Sequence, residues 1–301
     1  MYIIMKTKKC LKQQKTIRKN CNPNKEKDPG IHGLFGAKGH ISVDNGKKDP
    51  YKNKEFYNFL SRMKIFKINL QSNVLFWITY TISIIALSIS FGKQSSIVKN
   101  IFMGYFSVIL VMSTGYMAHY LAHILDFKQL YIDFIDSNYF FGENFRLFSE
   151  KTHKKIQKCI VYTLDFHDII HHDSSINKSW VNIFMEAVQN LLLEGGLWII
   201  ASIIFGLGIE FCGEIYRLNT AIMLLWILVY TSVHLINYRI VHPNSHIAHH
   251  MDYYTNLSLT DFFDLVFDTS HDKNNIQDIN HFTINVLVIT FLLYVSKNVL
   301  E

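Results

Sequence analysis

Histidine is over-represented in this sequence: 15 residues, eleven of them between positions 119 and 250. Eight of those fall in three groups. His119-Tyr-Leu-Ala-His123 is an H-x3-H pair, His167-Asp-Ile-Ile-His171-His172 is H-x3-H-H, and His246-Ile-Ala-His249-His250 is H-x2-H-H. On an α-helix, side chains three or four residues apart share one face about 5–6 Å from each other, so each pair can aim two imidazoles at one metal ion. The second member of a doublet is turned about 100° away and can serve a second ion or back a ligand. A single H-x3-H pair at a membrane boundary reads equally as a hydrogen-bonded interfacial pair. Three such groups, with His234 shortly before the last, point to a shared centre, and nine imidazoles suit two ions better than one. The four cysteines (Cys10, Cys21, Cys159, Cys212) show no C-x-x-C spacing, which argues against a thiolate site or a disulfide framework. An all-imidazole set suits iron, zinc or copper. A hydrolytic zinc site uses about three protein ligands and an open position, so nine histidines fit better with two irons that activate dioxygen.

The elements that must hold these rings are apolar. Residues 1–67 carry 17 of the 30 Lys+Arg against five acids, whereas 68–301 are net acidic and contain nearly all the long apolar runs. Residues 68–92 lack Asp, Glu, Lys and Arg altogether. A bilayer core of about 30 Å needs about 20 apolar helical residues, so this run is a spanning helix. Further runs cover 101–118, ending directly at His119, then about 188–209, interrupted by Glu194-Gly195-Gly196, and 218–238, which contains His234. A last run, 282–296, has 15 residues and reads equally as a short span or an interfacial helix. The basic head, with Arg62, Lys64 and Lys67 nearest the first span, puts the N-terminus in the cytoplasm. The expected architecture is therefore all-α, an integral membrane protein with four transmembrane helices in two hairpins, and every histidine group falls in a cytoplasmic histidine-rich helical cap. The head has little aromatic interleaving and no recognised nucleic-acid motif; contact with anionic headgroups or disorder is the expectation for 1–67.

The order HYLAH, HDIIHH, HIAHH, followed by Asn256-Leu-Ser-Leu-Thr-Asp-Phe-Phe-Asp264-Leu-Val-Phe-Asp-Thr269, resembles the fatty acid hydroxylase/sterol desaturase superfamily of integral-membrane di-iron oxygenases. The likeness covers about 70–270, with 271–301 left as a C-terminal apolar helix. It implies metal ligation by His119 and His123, by His167, His171 and His172, and by His246, His249 and His250, with His234 as the additional histidine of the last span. It implies two iron ions (zinc standing in for them in isolated protein), O2 as co-substrate, and a membrane lipid that is hydroxylated or desaturated, with His119, His123, His171, His172, His246, His249 and His250 as the catalytic set. An endoplasmic-reticulum-type membrane and a separate electron donor such as cytochrome b5 and its reductase follow. The chain departs from the family pattern in four places. The second box has three residues between its first histidines where two are usual, 43 residues separate His123 from His167, Asp268 takes a glycine slot, and Leu257 takes a tyrosine slot. These mark a divergent member. Two other readings are a plasmanyl-lipid-type desaturase and a non-enzymatic metal-handling membrane protein; the second would be expected to hold polar ligands near the bilayer midplane.

Outside the boxes, His242 precedes a proline and reads as a turn residue or a ligand, and His153, His271 and His281 as surface or supporting groups. Asp165, Asp168 and Asp173 flank the second box and could orient imidazoles. Glu186 and Glu194 are acids in or beside a span, which need partners. The aromatic-rich stretch 127–148 suits the headgroup belt or the lining of an acyl tunnel. Asp28-Pro-Gly-Ile-His32 echoes a haem-binding loop, but no second haem histidine follows in context.

Overall fold

The computed structural model describes residues 59–136, 149–172, 179–271 and 276–300. Most of the basic head, residues 137–148 of the aromatic stretch, and Asp173 lie outside the described residues. Four helices are long and apolar enough to cross a membrane: Val74–Phe91, Ile97–Ile124, Trp180–Phe205 and Thr220–Val241. The first two are α2 and α3. The third is built of α6 (Trp180–Leu191), a π-turn (Leu192–Gly196) and α7 (Leu197–Phe205), and the fourth of α8 (Thr220–Ser232), a second π-turn (Val233–Asn237) and α9 (Tyr238–Val241). Their outward faces carry exposed Ile78, Ile82, Phe102, Ile109, Ile203 and Phe205, side chains suited to lipid.

α8 is the central element. It packs on α2, α3 and the 192–196 turn, and Ile222, Leu225, Trp226 and Val229 are buried within it. A helix apolar on all sides is stable only when surrounded in this way. Its start is fixed by Asn219, whose side chain accepts from Ile222 N while its own N–H donates to Ser107 on α3. The other starts are capped in kind: Ser96 accepts from Lys99 N at α3, and Ser179 from Asn182 N at α6.

Three boundaries differ from those read off the apolar runs. The first span begins at Val74, because helix α1 (Phe59–Ser72) ends at Ser72 and Asn73 turns its amide onto Gln277 O and Ile279 N. α3 continues through Ile124, so His119 and His123 belong to its last two turns. Span three starts at Trp180, not at 188. Between spans three and four the chain adds a small antiparallel hairpin, β1 (Gly208–Phe211) with β2 (Glu214–Arg217), Gly208 opposite Arg217, so among the described residues the all-α expectation holds for everything but this connection.

The remaining elements close one end of the bundle. α4 (Phe127–Asp136) packs on α5 (Glu150–Thr163), and α10 (Asn244–Met251) leads through a loop to α11 (Phe262–Phe267). α1 lies on α11, where Arg62 donates to Val266 O and Phe66 packs 5.0 Å from Phe262. The last apolar run forms an 18-residue helix, α12 (Thr283–Leu300), packed on α2 and α8. It runs alongside α2 from Asn280, bonded to Ser72 O, to Lys297, bonded to Ser90 O.

Candidate metal centre

All nine histidines of the three boxes and span four meet at this closed end. They arrive from four segments: the last turns of α3, the turn His167–His171, the turn Val233–Asn237 and α10. Donor atoms of His119, His123, His167 and His249 all lie within 4.8 Å of one another; so do those of His171, His246 and His250, and those of His171, His234 and Glu186. These are two adjoining clusters. His172 stands between them, its Nε2 3.2 Å from His167 Nε2 and its ring 4.4 Å from that of His250.

The second box does not behave as an α-helical H-x3-H pair. Residues 167–171 form a π-turn, closed by His172 N donating to His167 O. In such a turn residues five apart lie one above another, as residues four apart do in an α-helix. The turn therefore brings His172 onto the face of His167, while the His171 ring stays stacked 4.9 Å from that of His167 and its donor atoms reach those of the other cluster. α10 splits its box in the same sense: His249 joins the first cluster, while His246 and His250, four apart on one face, meet in the second with Nε2 atoms 3.1 Å apart.

What suits these clusters to holding a metal ion is where the protons must be. Leu257 O and Thr255 O can only accept, so His119 and His249 each donate from Nδ1, over 2.9 and 2.8 Å. Each neutral ring then carries a lone pair at Nε2, and these two atoms face each other 3.1 Å apart. Two lone pairs repel unless an electron-pair acceptor stands between them. The separation fits one, since nitrogens about 2.1 Å from a shared ion are about 3.0 Å apart at a right angle and about 3.4 Å apart at a tetrahedral one. No proton substitutes for it cheaply. Burial, and then the neighbouring imidazoles, hold His167, His172, His246 and His249 well below the ordinary histidine range, and the same two causes lower His250 to about 3.

The second cluster is backed by a side chain. Glu186 Oε1 accepts from His234 Nδ1 at 2.9 Å and lies 3.4 Å from His171 Nδ1, while Oε2 pairs with Arg239 at 3.3 Å. A carboxylate fixes the imidazole tautomer and adds negative charge behind the ligand. Glu194, the other acid of span three, sits in the 192–196 π-turn beside Tyr230, which donates to it. The turn is shaped around this acid: a side chain at Gly115 would fall 2.2 Å from Glu194 Oε2, and Gly195 has φ 130.

Other candidates fall elsewhere. Asp165 accepts from the N–H groups of Phe127 and Lys128 at the start of α4. His242 ends α9 in the left-handed region, and His153 bonds Tyr131 on the cap. Spacing does not reveal Tyr253, whose ring lies 4.4 Å from His172 and 5.5 Å from His123. Tyr230 and Tyr238, four residues either side of His234, had a usable signal: the first stacks on His234 and the second lies 4.4 Å from His246. A small cavity between the clusters and the 256–259 loop is lined by His119, His234, His246 and His249, by Tyr230 and Tyr238, and by that loop, Ser245 and Gln277. No family profile, curated protein or solved structure matches this chain.

Proposed function

We propose that the protein is an O2-dependent oxidoreductase of membrane lipids, hydroxylating or desaturating an apolar chain at a pair of iron ions. The observation that carries this reading is the pair of adjoining imidazole clusters at one end of four apolar helices, facing a small cavity. His119, His123, His167 and His249 would hold one ion, and His171, His234, His246 and His250 the other, with His172 between them. When bound, two irons supply the several electrons that reduction of dioxygen requires. The chain's own residues do the rest. Thr255 and Leu257 carbonyls keep protons on Nδ1, so that lone pairs point inward. Glu186 does the same for His234 and adds charge. Tyr230 and Tyr238 bring phenol rings to the cavity, and Phe166, Val233 and Ile170, all buried, keep bulk water from the rings.

The likeness in box order and in the stretch 256–269 supports a lipid substrate, and the basic head supports a cytoplasmic cap. A substrate of this kind lives in the bilayer, and electrons then come from a separate carrier such as cytochrome b5 and its reductase in an endoplasmic-reticulum-type membrane. The test is lipid analysis of cells expressing the protein beside the double variant His249→Ala, His250→Ala. A hydroxylated or newly unsaturated lipid is expected with the first and not the second. The same product with both refutes the assignment, and metal bound with no new lipid leaves a metal-handling protein instead.

A further inference from the structure

The loop between α10 and α11 has no regular structure over residues 255–261, yet two of its carbonyls, Thr255 O and Leu257 O, set the proton positions of His249 and His119. Asn256 between them takes φ 52, the left-handed region, which asparagine adopts more readily than most side chains. Its backbone N–H donates to Thr269 O, its amide donates to Ser245 O, and its amide oxygen accepts from His271 N.

One side chain ties this loop to the rest. Asp264 is wholly buried. Its Oδ1 accepts from Leu257 N at 2.7 Å and from the Thr269 hydroxyl at 2.7 Å; its Oδ2 accepts from Ser258 N at 2.8 Å and from the Ser258 hydroxyl. Thr269 in turn meets the Tyr116 hydroxyl at 2.9 Å, on α3 less than a turn before His119. Four donors fill the acceptor sites of a carboxylate, and bonds of this kind are about twice as strong as neutral ones. Two of them fix the peptide that carries the Leu257 carbonyl, which receives His119, and the peptide before it.

We propose that Asp264 is a positioning residue for the first cluster alone: by fixing the Leu257 and Ser258 peptides it keeps the proton of His119 on Nδ1 and the Nε2 lone pair turned toward His249. The second cluster takes its orientation from Glu186 and is independent of Asp264. This inference rests on the reading of the two clusters as metal sites and on nothing about the substrate.

The test is zinc binding by the purified full-length protein in detergent, by equilibrium dialysis, with thermal melting of each metal-free variant as a control. Wild-type protein is expected to hold two ions per chain. Asp264→Ala is expected to weaken one site by about 10–100-fold, the range found when groups behind metal ligands are removed, and to leave the other unchanged. Should Asp264→Ala not fold, Asp264→Asn serves: it keeps the shape but turns an NH2 toward two of the donors, and the same one-sided loss is expected. Glu186→Gln should weaken the opposite site and leave the first unchanged, and this reciprocal pair of one-sided losses is what a general loosening of the fold does not produce. Two tight sites in a folded Asp264 variant, or equal weakening of both, overturns the proposal while the metal centre stands. Wild-type protein that binds no ion overturns both.

Discussion

The two clusters are made of one ligand type and differ in what stands behind the rings. In the first, neutral backbone carbonyls of Thr255 and Leu257 receive the outer protons of His249 and His119. In the second, a buried carboxylate, Glu186, receives that of His234 and lies against His171, with Arg239 offsetting part of its charge. A carbonyl orients without adding charge. A carboxylate orients and also raises the basicity of its imidazoles, so the second cluster is expected to hold an ion more tightly at the same coordination number. Equal first ligands thus give an unequal pair, and the difference is written in groups that no histidine count reveals.

The strongest way to break this comparison is to remove one ring from each side. His249→Ala and His246→Ala are each expected to abolish lipid oxidation while leaving one ion per chain. Metal content and lipid analysis on the same preparations check it, and loss of both ions from either variant would mean that the clusters do not fill separately. Glu186→Gln comes next, with about 10–100-fold weaker binding at one site and no change at the other, read by zinc dialysis. If the two sites weaken together, the carboxylate does not belong to one cluster.

Acid acts on both sides at once. His167 and His249 in one cluster, and His246 and His250 in the other, are held below the ordinary range by burial first and by neighbouring imidazoles second. In the unfolded chain each titrates near 6.5. Below that pH the unfolded state binds more protons than the folded one, so stability falls as the pH drops, down to about 3 in the case of His250. Each ring contributes on the order of 1 kcal/mol per pH unit. Melting temperatures of metal-free protein at pH 7.5, 6 and 5 should decline steadily, and saturating zinc should raise each of them without removing the decline. A flat profile would mean that the rings carry their protons in the folded state.

Much of this was legible in the sequence, and the failures have physical reasons. Charge-free runs locate the four long helices because the bilayer demands length and apolarity together. The start of span three is hidden because Asn182, Glu186, Gln189 and Asn190 lie on the buried face of α6. Glu186 reaches the histidines and Gln189 bonds Thr163 O on α5, and hydropathy counts all four as polar. The run before His119 stops early for the same reason, since imidazoles interrupt the apolar pattern while the helix continues. Spacing brings nine histidines under suspicion but does not divide them, because that division depends on a π-turn and no residue type marks one. The carbonyls of Thr255 and Leu257 have no side-chain signature at all. Asp264 stands in the stretch that resembles a known family, yet only its four hydrogen bonds show what it holds.

The smallest effect expected comes from the least intuitive change, deletion of Ile169. The second box has one residue more between His167 and His171 than the family it resembles, and an inserted residue in a helix is commonly absorbed as a π-turn. In the π-turn His167 and His172 lie five apart on one face, with ring nitrogens 3.2 Å apart. Removing one residue allows an α-turn, in which the same two histidines lie four apart and again share a face. Ile169 is the better residue to remove, because it is 39% exposed whereas Ile170 is buried at 3%. The shortened box is therefore expected to keep two ions per chain and to retain lipid oxidation within several-fold of wild type. Inserting an alanine after Ile169 instead rotates His167 away from His172 by about 100° and should cost the first cluster its ion. If deletion proves as damaging as His167→Ala, the π-turn is needed for more than the angular placement of the rings, and the division of the second box between the clusters has a different cause.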